Sequence, residues 1–390
     1  MKRVTIFFGL LGIFGIIRAQ EHNYSFDFHG FVNPHYYADS RSVVGGREDM
    51  MLFYPKPVLD DSLGHDLNDG WQADMLAITA RLGMCVKGPE MLGAAASAYI
   101  EGDFTGATNA TIDNLRLRHA YISLDWTRHR LIVGQYWYAM VIHEIMPMTN
   151  PLNMGSPFHC YARQPQVRYS FFPTSGLELL AVAQWQLDNM SQGILDGERQ
   201  SSTQFARHSL VPELNAQLRY STDKLLLGAA ANLKTIQPVV PDPDGELYSS
   251  FTWSLYGKAV LGPVTVKAQT LLDNSLYEGC SLGGYMMLAD SSYRDWHFNT
   301  VWLDIERTQG HWRPGLFVGY ALNTDYGRHG DAIHLFGRGH DIEYLWRVQP
   351  RLTYTTQKGL SFTGEAEYTC ARYSTKVANL RLSLSMVYSF

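Results

Sequence analysis

The sequence predicts an all-β fold, a transmembrane antiparallel up-and-down β-barrel of about sixteen strands. Three observations lead to this prediction. Polar and apolar residues alternate over stretches of about ten residues, the connections between these stretches alternate between short and long, and after the N-terminus no apolar run reaches the ~18 residues of a membrane helix. Lipid admits only helices and closed barrels, because every backbone polar group must find a hydrogen-bond partner. A closed barrel is therefore the membrane-spanning fold that this chain can form.

The N-terminus predicts a secretory signal peptide over residues 1–19, which leaves residues 20–390 for the barrel. Lys2 and Arg3 precede a long apolar run, and Ala19 provides a small residue at the cleavage position. An uncleaved N-terminal anchor is the alternative. Cleavage removes three positive charges from a net charge of -5, so the mature chain carries a net charge of about -8. Such an acidic chain is not expected to bind nucleic acid, which requires clustered lysine and arginine.

The composition agrees with a barrel but does not establish one. Hydrophobic residues make up 46% of the chain and charged residues 18%, yet the mean hydropathy is slightly negative, at -0.17. Apolar residues are thus diluted by polar neighbours, as in strands with one face in lipid and one face in water. Aromatic residues reach 13%, and their rings suit a membrane–water boundary. A soluble, aromatic-rich sandwich would show the same composition.

The C-terminal segment 376–390 shows the alternation most clearly. Leu382 and Leu384 lie on one face, and Arg381 and Ser383 lie on the other. Sixteen segments of this kind are predicted, at 24–37, 72–86, 92–104, 113–126, 130–139, 165–172, 176–187, 208–221, 224–235, 247–261, 264–273, 296–307, 312–323, 340–354, 360–371 and 376–390.

The fourth segment changes phase in its middle. Leu115 and Leu117 share one face of the segment. The apolar positions then continue at Ala120 and Ile122, one residue later than strict alternation would place them. An extra residue on one strand of an antiparallel pair produces this shift. The sequence therefore predicts a β-bulge near Arg118 and His119.

The connections sort into two kinds, as expected of a barrel with short turns on the periplasmic side and longer loops outside. The short ones include Lys87–Met91, Gly262–Pro263 and Thr308–His311, and several contain the Gly, Pro, Asp or Ser that tight turns favour. The long ones lie at 38–71, 105–112, 140–164, 188–207, 236–246, 274–295 and 324–339, and the last connection of this series, 372–375, is short. With an even number of strands, both termini are expected on the periplasmic side.

Three features carry a resemblance to a known family. The chain ends in Val387-Tyr388-Ser389-Phe390, the fourth segment contains Arg116 and Arg118, and the long connection 140–164 follows the fifth segment. In these features the chain resembles the sixteen-stranded trimeric porins of Gram-negative outer membranes, and within them the DcaP-type porins. The resemblance covers essentially the whole mature chain and is mainly architectural.

The resemblance implies a passive diffusion channel for small hydrophilic solutes in the outer membrane of a Gram-negative bacterium. It also implies a homotrimer surrounded by outer-membrane lipid, with Phe390 as the signal for the barrel-insertion machinery, and neither enzymatic activity nor a cofactor. The connection 140–164, between strands 5 and 6, is expected to fold into the barrel and narrow it. This connection departs from the family pattern, because Glu144 is its only acidic residue.

A set of charged residues is expected to line the pore or its constriction, namely Arg81, Arg116, Arg118, Arg168, Glu101, Asp103, His143, Glu144 and Arg163. Arg81, Arg116, Arg118 and Arg168 are expected to point inward from strands two, four and six, on one side of the barrel, and together they would favour anionic solutes. The alternative is that each arginine pairs with a lumen carboxylate such as Glu101 or Asp103 and only stiffens the wall. In the fourteenth segment, Arg347 and Arg351 are expected to face Glu365 and Glu367 of the fifteenth, a structural role.

Two other functions stay open on the sequence alone. A barrel plugged by its own loops would act as an adhesin or receptor through the long connection 38–71. A barrel enzyme would need a nucleophile, a histidine and an acid brought together, and no local motif nominates such a triad. The channel is the preferred interpretation.

No metal site is expected. His143, Glu144 and His159 match no ligand spacing. The four cysteines also lack metal-type spacing. Export would permit disulfides, so a bridge between Cys160 and Cys280 in the long connections is left open.

Overall fold

Eighteen strand segments form one antiparallel sheet that closes on itself in residues 24–150 and 154–390, the part of the chain that the computed structural model describes. The sheet closes where the first strand pairs with the last, for example Phe31 with Ser389. The first and second strands are each interrupted once, so the eighteen segments make sixteen barrel strands. The predicted up-and-down barrel is thus confirmed. The predicted signal peptide, residues 1–19, lies outside the described residues.

In chain order, the barrel strands are β1 (Ser25–Val32 and His35–Arg41), β2 (Asp69–Leu76 and Arg81–Met91), β3 (Ala94–Asp103), β4 (Arg116–Asp125), β5 (His129–Trp137), β6 (Arg163–Thr174), β7 (Leu177–Gln184), β8 (Glu213–Ser221), β9 (Leu225–Ile236), β10 (Tyr248–Leu261), β11 (Val264–Asn274), β12 (Phe298–Arg307), β13 (Trp312–Asn323), β14 (Tyr344–Thr355), β15 (Leu360–Arg372) and β16 (Lys376–Ser389). Most predicted segments lie within a few residues of these bounds.

The connections contain further short elements. Strands lie at Val43–Gly46, Met51–Pro55, Gln192–Leu195, Glu198–Ser201, Val239–Val240, Gly283–Leu288, Tyr293–Trp296 and Ala332–Arg338. The α-helix Gln204–His208 and the 3-10 helices Asn109–Thr111, His143–Ile145 and Tyr277–Gly279 complete the set in the described part of the chain. None of the helices in these residues is long and apolar enough to cross a membrane. We call residues 43–55 the inserted hairpin, and residues 138–150 with 154–162 the crossing segment.

Side chains of the barrel wall alternate between outward and inward positions, as predicted. On β16, Leu382 and Leu384 are 46% and 63% exposed, whereas Arg381 and Ser383 are 1% and 4% exposed. The apolar face therefore lies outside the barrel and the polar face lies inside it. Because a slip of one residue would reverse both faces, the alternation specifies the register of the strand.

The predicted turn at Lys87–Met91 is wrong, because β2 continues to Met91 and the chain turns at Leu92 and Gly93. Both turn residues have positive φ, 55° and 72°, a conformation that glycine adopts at little cost. Pro89 lies where the pairing register between β2 and β3 shifts. Bulges of this kind accommodate proline within a strand, so this proline marks a bulge and not a strand end.

The predicted spans 24–37 and 72–86 are each too simple, because β1 and β2 are both interrupted. β1 breaks at Asn33 and Pro34, where proline provides no backbone donor, and β2 breaks over residues 77–80. The half of β1 that follows its break, His35–Arg41, pairs with the half of β2 that precedes its break, Asp69–Leu76. These added halves lengthen the wall and carry the inserted hairpin between them.

An apolar cluster joins several long connections. Phe205, Tyr248, Tyr277, Tyr285 and Phe336 pack together, and each is at most 4% exposed. The rings of Tyr248 and Tyr285 stack with their centroids 4.4 Å apart. These connections therefore form a packed layer on the barrel, because burying their aromatic rings removes a large apolar area from water.

Candidate functional site

The inserted hairpin lies inside the barrel. Residues Met50–Tyr54 are at most 8% exposed. Arg347 on β14 donates from Nη2 to the carbonyl oxygens of Leu52 and Phe53, at 3.0 and 3.1 Å, and Arg381 on β16 donates to the carbonyl of Met50 at 3.0 Å. These bonds pair backbone acceptors that burial would otherwise leave without partners. The apolar residues of this hairpin therefore belong to the interior of the barrel.

The crossing segment contacts the opposite wall. The backbone N–H of Asn150 donates to Glu365 Oε1 on β15 at 3.0 Å. Phe158 packs against Phe317 of β13, with ring centroids 6.2 Å apart. Gly319 makes room for this packing, because a Cβ at position 319 would lie 2.6 Å from the ring of Phe158. The segment thus spans the lumen from β5 to β13 and β15.

Arg347 connects the two inward segments. In addition to the hairpin carbonyls, it donates from Nη1 to the carbonyl oxygen of Ser156 in the crossing segment, at 2.6 Å. It also forms the ion pair with Glu367 that the sequence suggests, at 3.0 Å. Arg351 lies opposite Glu365 in the β14–β15 register, but its guanidinium binds Asp304 on β12 at 2.7 Å. Arg351 therefore faces Glu365 as expected but forms its ion pair with Asp304 instead. Its role is structural, as the sequence suggests.

A cavity of about 320 Å³ remains beside β2 and β4. Its basic residues come from the barrel wall and from the connections: Arg47, Arg81, Arg116, Arg118, Arg163 and Arg338. Its acidic residues are Asp103, Asp188 and Glu278, and Glu278 is bound by Lys234 at 2.7 Å. Cations therefore outnumber anions around the cavity.

The predicted bulge on β4 is confirmed, and it shapes one side of this cavity. Glu101 pairs with His119 while the next residue of β3 pairs with Leu117, so Arg118 is the extra residue. As a result Arg118 and His119, although adjacent in sequence, are both buried, at 1% and 4% exposure. Regular alternation would send one of them into lipid.

Two carboxylates of β3 bind the arginines of β4. Arg118 Nε lies 2.5 Å from Glu101 Oε1, and its Nη1 lies 2.8 Å from Asp103 Oδ2. Arg116 binds Asp103 at 3.0 Å, and Arg81 lies 3.7 Å from Glu101. Three guanidinium groups thus share two carboxylates. Arg118 Nη2 and Arg81 Nε are buried and have no hydrogen-bond partner among the described residues, so the carboxylates do not satisfy all the donors of these arginines.

Arg163 forms no ion pair within residues 24–150 and 154–390, although it is only 5% exposed. Its guanidinium lies over the Trp137 ring, 4.0 Å from the centroid, a favourable cation–π geometry. It donates to Tyr161 Oη at 3.1 Å and to His119 Nε2 at 3.3 Å. A buried cation with only neutral contacts attracts an anion.

The other predicted site residues lie in a second cluster away from this cavity. Glu144 binds Arg219 on β8 and lies 3.2 Å from His143, while Arg168 lies over the Tyr136 ring at 5.3 Å. Burial raises the pKa of Glu144, but His143 and Arg219 outweigh it and lower that pKa to about 2. Glu144 is therefore ionised at neutral pH and neutralises part of this cluster.

Cys160 is buried and Cys280 lies at the cavity, and both are free thiols in the structure. Burial raises the pKa of the Cys160 thiol. No group of three His, Cys, Asp or Glu residues that could hold a metal ion occurs in the part of the chain that the structure describes. His159, part of the group considered above, binds Gln269 at 2.7 Å.

Sequence reasoning missed several residues of the cavity, among them Arg47 in the inserted hairpin, Arg338 before β14, and Tyr161. The signal for the hairpin was present in Val43-Val44-Gly45-Gly46 and Met51-Leu52-Phe53-Tyr54, two apolar runs around a polar turn. Apolar runs in a connection that is taken to be exposed indicate burial. Arg338 and Tyr161 carry no comparable local signal, because their positions depend on how distant segments pack.

The fold and the lumen define a class: a closed, sixteen-stranded membrane barrel with an apolar exterior and a charged, narrowed interior. No protein-family model and no curated protein sequence matches the chain. Solved structures of outer-membrane barrels do match, across almost the full length of both chains.

In particular, the chain is similar to the outer membrane channel DcaP of Acinetobacter baumannii, with a TM-score of 0.70 and 18% identity over 94% of this chain and 97% of that chain. It is also similar to an anion-selective porin from Comamonas acidovorans, with a TM-score of 0.59 and 10% identity over 94% and 100%. OmpT of Vibrio cholerae matches with a TM-score of 0.56 and 10% identity over 94% and 98%. At these identities the likeness establishes the sixteen-stranded porin fold.

Proposed function

We propose that this chain is a passive diffusion channel for small hydrophilic solutes in the outer membrane of a Gram-negative bacterium, with a preference for anions. It binds and releases solutes without a chemical reaction. The observation that carries the proposal is Arg163, a buried guanidinium without a carboxylate partner in the described residues, at a cavity lined by five further arginines.

The charge balance supports an anion preference. The acidic groups on the β3 side are already bound to Arg116 and Arg118, and Glu144 is bound to Arg219 in the second cluster. Uncompensated cations near a narrow, partly desolvated passage concentrate anions and repel cations. One of the similar structures is an anion-selective porin by its description, in agreement with this proposal.

The proposal includes export and assembly. A signal peptide over residues 1–19 would direct the chain through the inner membrane, and Phe390 at the end of the last strand would present the insertion signal. Phe390 is 58% exposed and exchanges two backbone hydrogen bonds with Gly30. The outward apolar face would contact lipid. A homotrimer is proposed because a structure of similar fold, OmpT of Vibrio cholerae, is described in a trimer form.

A plugged receptor is the second candidate, and one observation favours it. Both inward segments contribute to an apolar cluster inside the barrel that includes Met51, Phe53, Ile145, Phe158 and Trp302. An apolar filling of this kind excludes water and narrows the passage. A receptor would use the packed connections and would not need an open pore.

Reconstitution of the mature chain in planar lipid bilayers separates the two candidates. A channel gives stepwise, ohmic conductance, and a salt gradient gives a reversal potential of the sign expected for anion preference. Conductance with cation preference would contradict the anion preference assigned to the arginine site, but it would still support a channel. Silence at all voltages would contradict the channel and favour the receptor.

A further inference from the structure

Tyr161 lies at the end of the crossing segment, against the arginines of the cavity. Its hydroxyl oxygen accepts hydrogen bonds from Arg118 Nη1 at 3.2 Å and from Arg163 Nη2 at 3.1 Å. Its ring packs edge-on against Trp137, with centroids 5.8 Å apart. The hydroxyl proton has no acceptor among the described residues. An oxygen that only accepts, and accepts from two cations, is stabilised in its ionised form.

Arg163 lacks a negative partner of its own. Asp103 is bound to Arg116 and Arg118, and Glu101 is bound to Arg118. Its other contact, His119, accepts through Nε2 and is therefore neutral at that atom. A buried guanidinium without a counter-charge is strongly unfavourable. Two groups can supply the charge: the oxygen of Tyr161, or an anion that enters the cavity.

We propose that Tyr161 is an ionisable selectivity residue, whose phenolate is the resident counter-ion of Arg163 and competes with anionic solutes for that guanidinium. This inference rests on the proposed channel function. When the phenolate takes up a proton, Arg163 is left for the solute, and when the hydroxyl releases its proton to water, the solute is displaced. Solute binding and proton uptake at this site are thus coupled.

The surrounding charges determine the pH range of this exchange. The cations near Tyr161 are Arg81 on β2, Arg116 and Arg118 on β4, Arg163 on β6 and Arg47 in the inserted hairpin. Arg338 before β14 lines the same cavity. The other titratable groups are Glu101 and Asp103 on β3, His119 on β4, Asp188 after β7, and Glu278 and Cys280 after β11. Burial raises the pKa of Tyr161, but the guanidinium charges, Arg163 first, outweigh it and lower that pKa to about 6.

Below this pKa Tyr161 is neutral, the cavity has one more net positive charge, and anion preference is higher. Above it the phenolate cancels that charge. Potassium chloride is a suitable probe because neither of its ions titrates. Between about pH 5 and about pH 8, we expect the chloride-to-potassium permeability ratio of the mature channel to fall about three-fold.

The test compares reversal potentials of the wild type, Tyr161→Phe and Tyr256→Phe across this pH range. In Tyr161→Phe this pH-dependent fall of the permeability ratio, the pH step, should be absent. The ratio should stay throughout at the high value that the wild type shows at acidic pH. Tyr256→Phe is the matched control, because Tyr256 is a buried lumen tyrosine whose hydroxyl donates to the neutral Gln217 at 3.0 Å. It should keep the step. A wild-type ratio that does not change with pH, or a step that survives in Tyr161→Phe, overturns the inference.

A second measurement does not depend on transport. Tyrosinate has a distinct near-ultraviolet absorbance, so the detergent-solubilised wild type should gain the signal of one tyrosinate over the same pH range, and Tyr161→Phe should not. Equal signals in both proteins overturn the inference even where a channel forms. A wild type with no conductance but with this absorbance step overturns the proposed channel function instead.

Discussion

Both sides of the lumen carry inward arginines, but these arginines bind different partners. On the β14–β16 side, Arg347, Arg351 and Arg381 bind buried carboxylates, and two of them also bind the carbonyls of the inward segments. On the β2–β6 side, Arg163 has no carboxylate in the described residues, and Arg118 Nη2 has no partner there. The hydrogen-bond partners of an arginine, and not its place in the alternation, therefore separate a structural role from a solute-binding role.

The largest effect is expected for Arg347→Met, which removes a structural arginine from the β14–β16 side. The change leaves Glu367 buried without its ion pair and removes the donors to Leu52, Phe53 and Ser156. We expect the free energy of unfolding to fall by about 3–5 kcal/mol, measured by denaturant unfolding of the barrel in detergent. The control is Arg307→Met at the exposed end of β12, which should change the free energy of unfolding by less than about 0.5 kcal/mol. Equal stability of the two variants would show that Arg347 does not hold the inward segments.

The double variant Arg116→Ala, Arg118→Ala should have the next largest effect. It leaves Asp103 without an arginine partner and Glu101 with Arg81 alone, at 3.7 Å. We expect the chloride-to-potassium permeability ratio to fall about ten-fold, measured as reversal potentials in a salt gradient. Arg372→Ala, which removes an ion pair with Glu343 at the barrel rim, is the control and should leave the ratio unchanged. Unchanged reversal potentials in the double variant would count against a solute site at these arginines.

The smallest and sharpest effect is expected for Arg163→Gln. Because it leaves no carboxylate unpaired in the described residues, it should lower the permeability ratio about three-fold at about pH 5, where Tyr161 is neutral, while the unfolding free energy changes by about 1 kcal/mol or less. Arg118→Gln is the matched comparison, since it leaves two buried carboxylates short of a partner and should cost about 3 kcal/mol. If Arg163→Gln and Arg118→Gln lost the same free energy of unfolding, the distinction between arginines with and without a carboxylate partner would be contradicted.

Much of the barrel could be predicted from the sequence because its strands obey a local rule. Each wall strand must place apolar side chains in lipid and polar ones inside, and this requirement appears as alternation, as on β16. Even the bulge at Arg118 could be found, because an extra residue shifts the phase of the pattern. The turn after β2 could not, because Pro89 has the same local signature in a turn and in a bulge.

The site was less predictable, since it depends on packing between distant segments. Alternation placed Arg81, Arg116 and Arg118 in the lumen, but it could not tell which carboxylates would bind them. Arg168 shares their inward direction, yet it lies with Glu144 in the other cluster. The residues that come from connections, Arg47 and Tyr161 among them, obey no periodic rule, so their places become known only with the folded structure.

The shared attachment of both inward segments to Arg347 has a consequence for the order of assembly. The inserted hairpin is synthesised early, but the guanidinium that holds it lies almost three hundred residues later, and contacts of such long sequence separation form late in folding. A nascent barrel that still lacks β14 therefore has a wide, unfinished bore. The passage acquires its final diameter only when the C-terminal strands join the wall.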